Sequence, residues 1–183
     1  IAVDIGNSQL KVGLFSQEKL LLKKVLQKGE LIEFIHSHKP ENVIFSSVKE
    51  SSGKFVNQLN KSTRVFSVGK NCILPVKINY YPPNTVGSDR LAGVSAAVSL
   101  FPGKNGLVID AGTCLTFNLV TKKKEFLGGS ISPGLNMRLE AMNRFTARLP
   151  EIKFSKKIII LATDTKNSML SGAYYGCVAE INE

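Results

Sequence analysis

Cysteine is scarce and scattered. The 183-residue chain has three, Cys72, Cys114 and Cys177, and no Cys-x-x-Cys pair or Cys/His ligand spacing. That argues against a zinc site, and three separated thiols fit a reducing cytoplasm. Only two histidines occur, His36 and His38, flanking Ser37 at the end of an expected helix; a solvent-facing helix end suits them better than a metal. No apolar run reaches the length of a membrane span, so no membrane partner is expected. Acid is in deficit, with 14 Asp and Glu against 24 Lys and Arg, a formal net charge of +10. Such a balance can mark a nucleic-acid binder or a protein handling small anions. The lysines are dispersed, however, at Lys23-Lys24, Lys122-Lys123-Lys124 and Lys156-Lys157. They do not interleave with aromatics as single-strand binders require. The Lys122-Lys123-Lys124 run reads as a solvated hairpin tip, and no nucleic-acid partner is expected.

What is present is a globular composition, 43% apolar and 21% charged, in a chain long enough for one large domain or two small ones. The stretch that organises it is 107–120, LVIDAGTCLTFNLV. It reads as an apolar strand, a tight Asp-x-Gly-Thr turn and a second apolar strand. Residues 1–14, IAVDIGNSQLKVGL, are a weaker copy: three apolar residues lead into Asp4 as into Asp110, Gly6 matches Gly112, and Asn7 matches Thr113. An Asp ending a buried strand needs a cation or donors to offset its desolvation. The Gly permits a positive φ or a close ligand approach, and the turn's hydroxyls and amides can face phosphate oxygens. Two ordinary hairpins would look similar singly. The shared register favours a duplicated fold holding a nucleotide between its halves.

Along the chain, strands are expected at 1–3, 10–15, 19–26, 43–48, 65–68 and 76–78. Helices are expected at 30–37, at 51–60 with Ser51 or Ser52 as cap, and at 89–100 with Ser88 as cap and Leu91, Val94, Ala97 and Val98 as its apolar face. Pro82 and Pro83 make 80–85 a loop. The segment 101–106, FPGKNG, is the expected boundary, giving domains 1–102 and 103–183. After the second hairpin come a strand over 125–132 broken at Gly128-Gly129, a helix at 135–145, an extended 152–161, and a last helix from Asp164 or Thr165 to about 181. A further strand and helix would complete the second repeat beyond it.

Two more clusters carry chemistry. In 80–90, YYPPNTVGSDR, Gly87, Asp89 and Arg90 lie at a helix N-terminus, whose free amides and partial positive charge attract anions. Asp89 complements the helix dipole there, or it accepts a proton from a substrate hydroxyl; Arg90 offers a planar fork to a carboxylate or phosphate. In 128–134, GGSISPG, the turn-forming residues fit backbone lying close to a bound molecule, or a β-bulge followed by a helix start.

Together, Asp4-Ile5-Gly6-Asn7-Ser8, Tyr80…Pro83…Gly87-Ser88-Asp89-Arg90, Asp110-Ala111-Gly112-Thr113…Thr116, 128–134 and Thr165…Gly172 resemble the type III pantothenate kinases, in order over the whole chain. The fold class implied is α/β: duplicated ribonuclease H-like (actin-like ATPase) domains with mixed central sheets, the second incomplete at its C-terminal end. The resemblance implies ATP-dependent phosphorylation of pantothenate in the bacterial cytoplasm by a homodimer, using ATP with Mg2+ and a monovalent cation, K+ or NH4+. It assigns ATP contacts to Asp4, Ile5, Gly6, Asn7, Ser8, Gln9, Leu10, Lys11 and Thr113. Asp89 becomes the proton acceptor, Tyr80, Gly87, Ser88, Asp89, Arg90 and Thr165 the pantothenate site, and Asp110 the cation ligand. Asn118 stands where many relatives carry an acid, and Ser8 replaces the commoner Thr. The alternatives are another small-molecule kinase of the superfamily, or a non-catalytic regulator of the kind represented by the transcription activator of pertussis toxin.

Overall fold

The computed structural model describes residues 1–6, 9–47, 55, 57–59 and 61–183. Asn7, Ser8 and the expected helix over 51–60, apart from Phe55 and 57–59, lie outside them. The chain divides into two compact units, the first made of Ile1–Gly106 with Leu119–Leu127, the second of Leu107–Asn118 with Gly128–Glu183.

In the first unit, β1 (Ala2–Ile5), β2 (Leu10–Ser16), β3 (Lys19–Leu26), β4 (Asn42–Ser47) and β5 (Arg64–Ser67) form a mixed sheet in the order β3-β2-β1-β4-β5. The first three strands are antiparallel, because short turns join them. The pairs β1–β4 and β4–β5 are parallel. The two faces differ sharply. Val3, Ile5, Leu10, Val12, Val43 and Phe45 are buried on one, against Leu31, Phe34 and Ile35 of α1 (Leu31–His38). Each such side chain contributes roughly 1.5–3 kcal/mol on burial. By register the other face carries Asp4, Lys11 and Ser46, since Asp4 lies opposite both Lys11 and Ser46. The hairpin periodicity in the sequence therefore sorts core from chemistry, residue by residue.

The remaining strands are β6 (Lys77–Ile78), β7 (Gly106–Ala111), β8 (Cys114–Val120), β9 (Glu125–Gly128) and β10 (Ile131–Pro133). They form a second mixed sheet ordered β10-β8-β9-β6, with β7 also pairing β8. The second unit buries Leu139 of α3 (Leu135–Arg144) against Met169, Leu170 and Ala173 of α4 (Thr165–Asn182). Asp164 caps α4 by accepting from the Asn167 amide at 2.9 Å, and the Asn167 contacts hold its carboxyl below the usual range. The stretch 151–160 joins no sheet. Among the described residues no helix is long and apolar enough to cross a membrane.

Candidate functional site

The helix α2 (Ser88–Leu100) begins one residue earlier than its sequence indicates. Its N-cap is Gly87, with extended backbone at φ −58° and ψ 139°, not Ser88. Ser88 fails as the cap because its hydroxyl is engaged elsewhere, accepting a hydrogen bond from Ser46 Oγ at 3.2 Å. Ser46, only 8% exposed, lies beside Asp4 on the sheet face opposite the core. A short polar path thus joins the strand of the first Asp-x-Gly turn to the start of α2. Ser46 has no sequence signal, because a serine inside VIFSSV reads as part of an apolar strand.

Asp89 is exposed in the first turn of α2, and its Oδ1 accepts from the Arg90 amide at 2.8 Å. Gly87, two residues before it, leaves this carboxylate its room. A Cβ at Gly87 would fall 2.4 Å from Asp89 Oδ1, so any other residue would push the carboxylate out of its place. Arg90 is 7% exposed, and its guanidinium carbon lies 5.5 Å from the ring centres of both Tyr80 and Phe126. Those rings are stacked on each other, 5.9 Å apart and 12° from parallel. Two π faces offset part of the cost of removing the cation from water. Phe126, fully buried, is a second residue that sequence reasoning missed; nothing in its short apolar run distinguishes it. Gly87, Ser88, Asp89, Arg90 and Tyr80 are therefore gathered within one unit.

In the first turn, the Gly6 amide donates to the Gln9 carbonyl at 3.0 Å, closing the β1–β2 connection. Ile5 and Leu10 are core residues at 4% and 3% exposure, leaving only their main chains for a ligand. Lys11 is exposed opposite Asp4.

In the second unit, Gly112 N donates to the Cys114 carbonyl at 2.9 Å, and Thr113 is exposed at the tip of the turn. One expectation fails here. Asp110 does not end a buried strand: Leu107, Ile109 and Asp110 of β7 are all exposed. The glycines of 128–134 make close approaches to neighbouring backbone. A Cβ at Gly129 would fall 1.8 Å from the Phe117 carbonyl oxygen, and one at Gly134 would fall 2.3 Å from that of Gly112. Gly134 N also donates to the Thr113 carbonyl at 3.0 Å. The expected helix start follows at Leu135, and these contacts seat the segment against the second turn. Asn118, fully buried, donates to Thr116 Oγ1 at 3.0 Å. Thr165 is exposed as the first residue of α4.

No group of three or more His, Cys, Asp or Glu side chains is placed to hold a metal ion among the described residues. Asp110 offers an exposed carboxylate, an oxygen ligand of the kind a hard cation takes. A cleft of about 700 Å³ between Asn136, Glu140, Arg144, Glu151 and Lys153 includes none of the expected site residues.

The family model for type III pantothenate kinase matches residues 1–183. The chain is 38% identical over 182 residues to the type III pantothenate kinase of Cytophaga hutchinsonii, covering 99% of this chain and 77% of that protein. It is 37% identical over 186 residues to that of Christiangramia forsetii, covering 99% and 76%. For that of Legionella pneumophila the figures are 33% over 200 residues, covering 100% and 78%. Among solved structures it is similar, with a TM-score of 0.65 at 21% identity, to a conserved Campylobacter jejuni protein assigned to the Baf family of transcriptional activators, covering 99% of this chain and 77% of that one. That likeness speaks to fold alone.

Proposed function

The chain belongs to the type III pantothenate kinase family, and from that premise we propose that it transfers the γ-phosphoryl group of ATP to the primary hydroxyl of pantothenate, the first step towards coenzyme A. The observation that carries the reading is the Ser46 link. It holds the strand of Asp4 and the first turn of α2, where Asp89 lies, in one hydrogen-bonded arrangement. Phosphoryl transfer asks little else of a protein than held phosphates, neutralised charge and an oriented hydroxyl.

In this reading the turn from Asp4 to Lys11 and the exposed Thr113 hold the phosphates of ATP, which arrives with Mg2+. Tyr80, Gly87, Ser88, Arg90 and Thr165 bind pantothenate, with Arg90 fixed by Tyr80 and Phe126. Asp89 orients the hydroxyl. As the new P–O bond forms and the bond to the β-phosphate bridge breaks, the hydroxyl proton passes to the Asp89 carboxylate. ADP release that requires pantothenate tests the reading; ADP release at the same rate without pantothenate would overturn it.

Asp110 is assigned to a monovalent cation, which supplies positive charge near the phosphates when bound. Activity should rise steeply with K+ or NH4+ and stay low in Na+ alone. Equal rates in the three chloride salts would remove that role.

The reading also includes a two-fold dimer. Along α2, Ala92, Gly93, Ala96 and Ala97 are small enough for close helix approach. Light scattering at micromolar concentration should return twice the chain mass, and a monomeric mass would contradict it.

A further inference from the structure

We infer that Glu180, near the end of α4, is a positioning residue for the turn at Gly112-Thr113, acting through Ser132 and Arg138. The inference rests on the reading above in one respect, that Thr113 holds ATP phosphates.

The Glu180 carboxylate takes two partners, one oxygen accepting from Ser132 Oγ and the other from Arg138 Nη2. Arg138 spends two further donors on the same corner, with Nε on the Pro133 carbonyl at 2.8 Å and Nη2 on Ser132 Oγ at 3.4 Å. Every one of these bonds draws on Ser132, Pro133 or the Arg138 fork beside them. Ser132 and Pro133 pair with Leu115 and Cys114 of β8, and the next residue, Gly134, donates to the Thr113 carbonyl at 3.0 Å. A run of polar contacts therefore leads from Glu180 to the backbone of Thr113, within one unit. Charge-assisted bonds of this kind are shorter and more directional than neutral ones. The Arg138 side chain is 20% exposed and that of Glu180 36%, so solvent screens the pair in part and the shared Ser132 contact does as much to fix the geometry as the charge.

Helix packing alone does not call for this arrangement. Leu139, Met169, Leu170 and Ala173 already hold α3 to α4. A buried apolar contact cannot fix the rotation of one peptide, whereas a carboxylate shared between two donors can. Gly176 adjoins the site: a Cβ there would fall 3.0 Å from Arg138 Nη1, so the guanidinium would have to shift by a few tenths of an ångström. The Ser132 and Arg138 bonds also hold the Glu180 carboxyl below its ordinary range.

The test measures MgATP affinity by calorimetry, turnover, KM for pantothenate and melting temperature on the whole chain and two variants. Glu180→Gln keeps the shape and loses the charge; MgATP affinity should fall about tenfold, the scale of one weakened hydrogen bond to a charged phosphate, with the pantothenate KM unchanged. Gly176→Ala separates positioning from structure. Alanine is the better helix former, so the melting temperature should hold or rise, while the added methyl displaces Arg138 and MgATP affinity falls several-fold. Wild-type MgATP affinity in both variants would overturn the inference. Should Glu180→Gln not fold, Gly176→Ala decides alone. A wild-type chain that binds MgATP without phosphorylating pantothenate defeats the functional reading and leaves this comparison intact. A wild-type chain that binds no MgATP overturns both.

Discussion

Asp89→Asn should lower turnover on the order of 10²-fold or more while leaving the protein folded, the usual scale for a general acid–base group. The structure makes this substitution unusually clean. Asp89 Oδ1 accepts from the Arg90 amide, and asparagine keeps that oxygen, so the first turn of α2 retains its contact. The carboxylate is exposed, so no buried charge is left behind. What asparagine removes is the charge that accepts the hydroxyl proton. MgATP affinity should change little, because the proposed phosphate contacts are at the turns of Asp4 and Thr113, not at Asp89. If Asp89 only complemented the helix dipole, the pattern would reverse: a lower melting temperature with near-normal turnover in the folded fraction. A folded Asp89→Asn protein retaining more than about a third of wild-type turnover would end the assignment.

The largest stability effect is expected at Gly129. Its φ of +154° and its place against β8 both exclude a side chain: an added Cβ would fall 1.8 Å from the Phe117 carbonyl oxygen and 2.7 Å from its carbon. Backing away would break the reciprocal bonds between Phe117 and Ser130, at 2.9 and 3.1 Å. Gly129→Ala should therefore cost about 4 kcal/mol or more, a large share of the roughly 5–15 kcal/mol that holds a typical domain folded. Gly103 is the matched control. It has a φ of +73° with nothing within 4 Å of an added Cβ, so Gly103→Ala should cost only about 1–2 kcal/mol, the left-handed backbone penalty. Urea midpoints for the two variants decide the matter. Equal destabilisation would mean that the close approach to Phe117 does not exist.

The sequence showed its two turns because each follows an apolar strand in the same Asp-x-Gly register. The alternation along β1 and β2 also sets Asp4 and Lys11 on the face opposite Ile5 and Leu10, a separation that follows from the two-residue period of a strand. What it hid were contacts between distant residues. Ser46 bonds Ser88 across 42 positions, and so turns an expected cap into an ordinary first-turn residue. Ser132 meets Glu180 across 48. Phe126 supports Arg90 from a run that looks like any other strand. The density of glycine over 128–134 suggested backbone close to a bound molecule, or a bulge and helix start; what composition could not show are the close approaches to the carbonyls of Phe117, Gly112 and Thr113. Burial was misjudged at Asp110 because an apolar run such as LVI implies a strand covered on its faces, whereas Leu107, Ile109 and Asp110 are exposed.

The proposed activity is tested most directly by following the phosphoryl group itself. The chain is incubated with ATP labelled with oxygen-18 in the γ-phosphoryl group, together with pantothenate, Mg2+ and K+, and the products are read by mass spectrometry. The account predicts 4'-phosphopantothenate carrying the labelled phosphoryl oxygens, with ADP formed in equal amount. Labelled inorganic phosphate with unmodified pantothenate, or intact ATP beside a chain that binds it, would contradict the account.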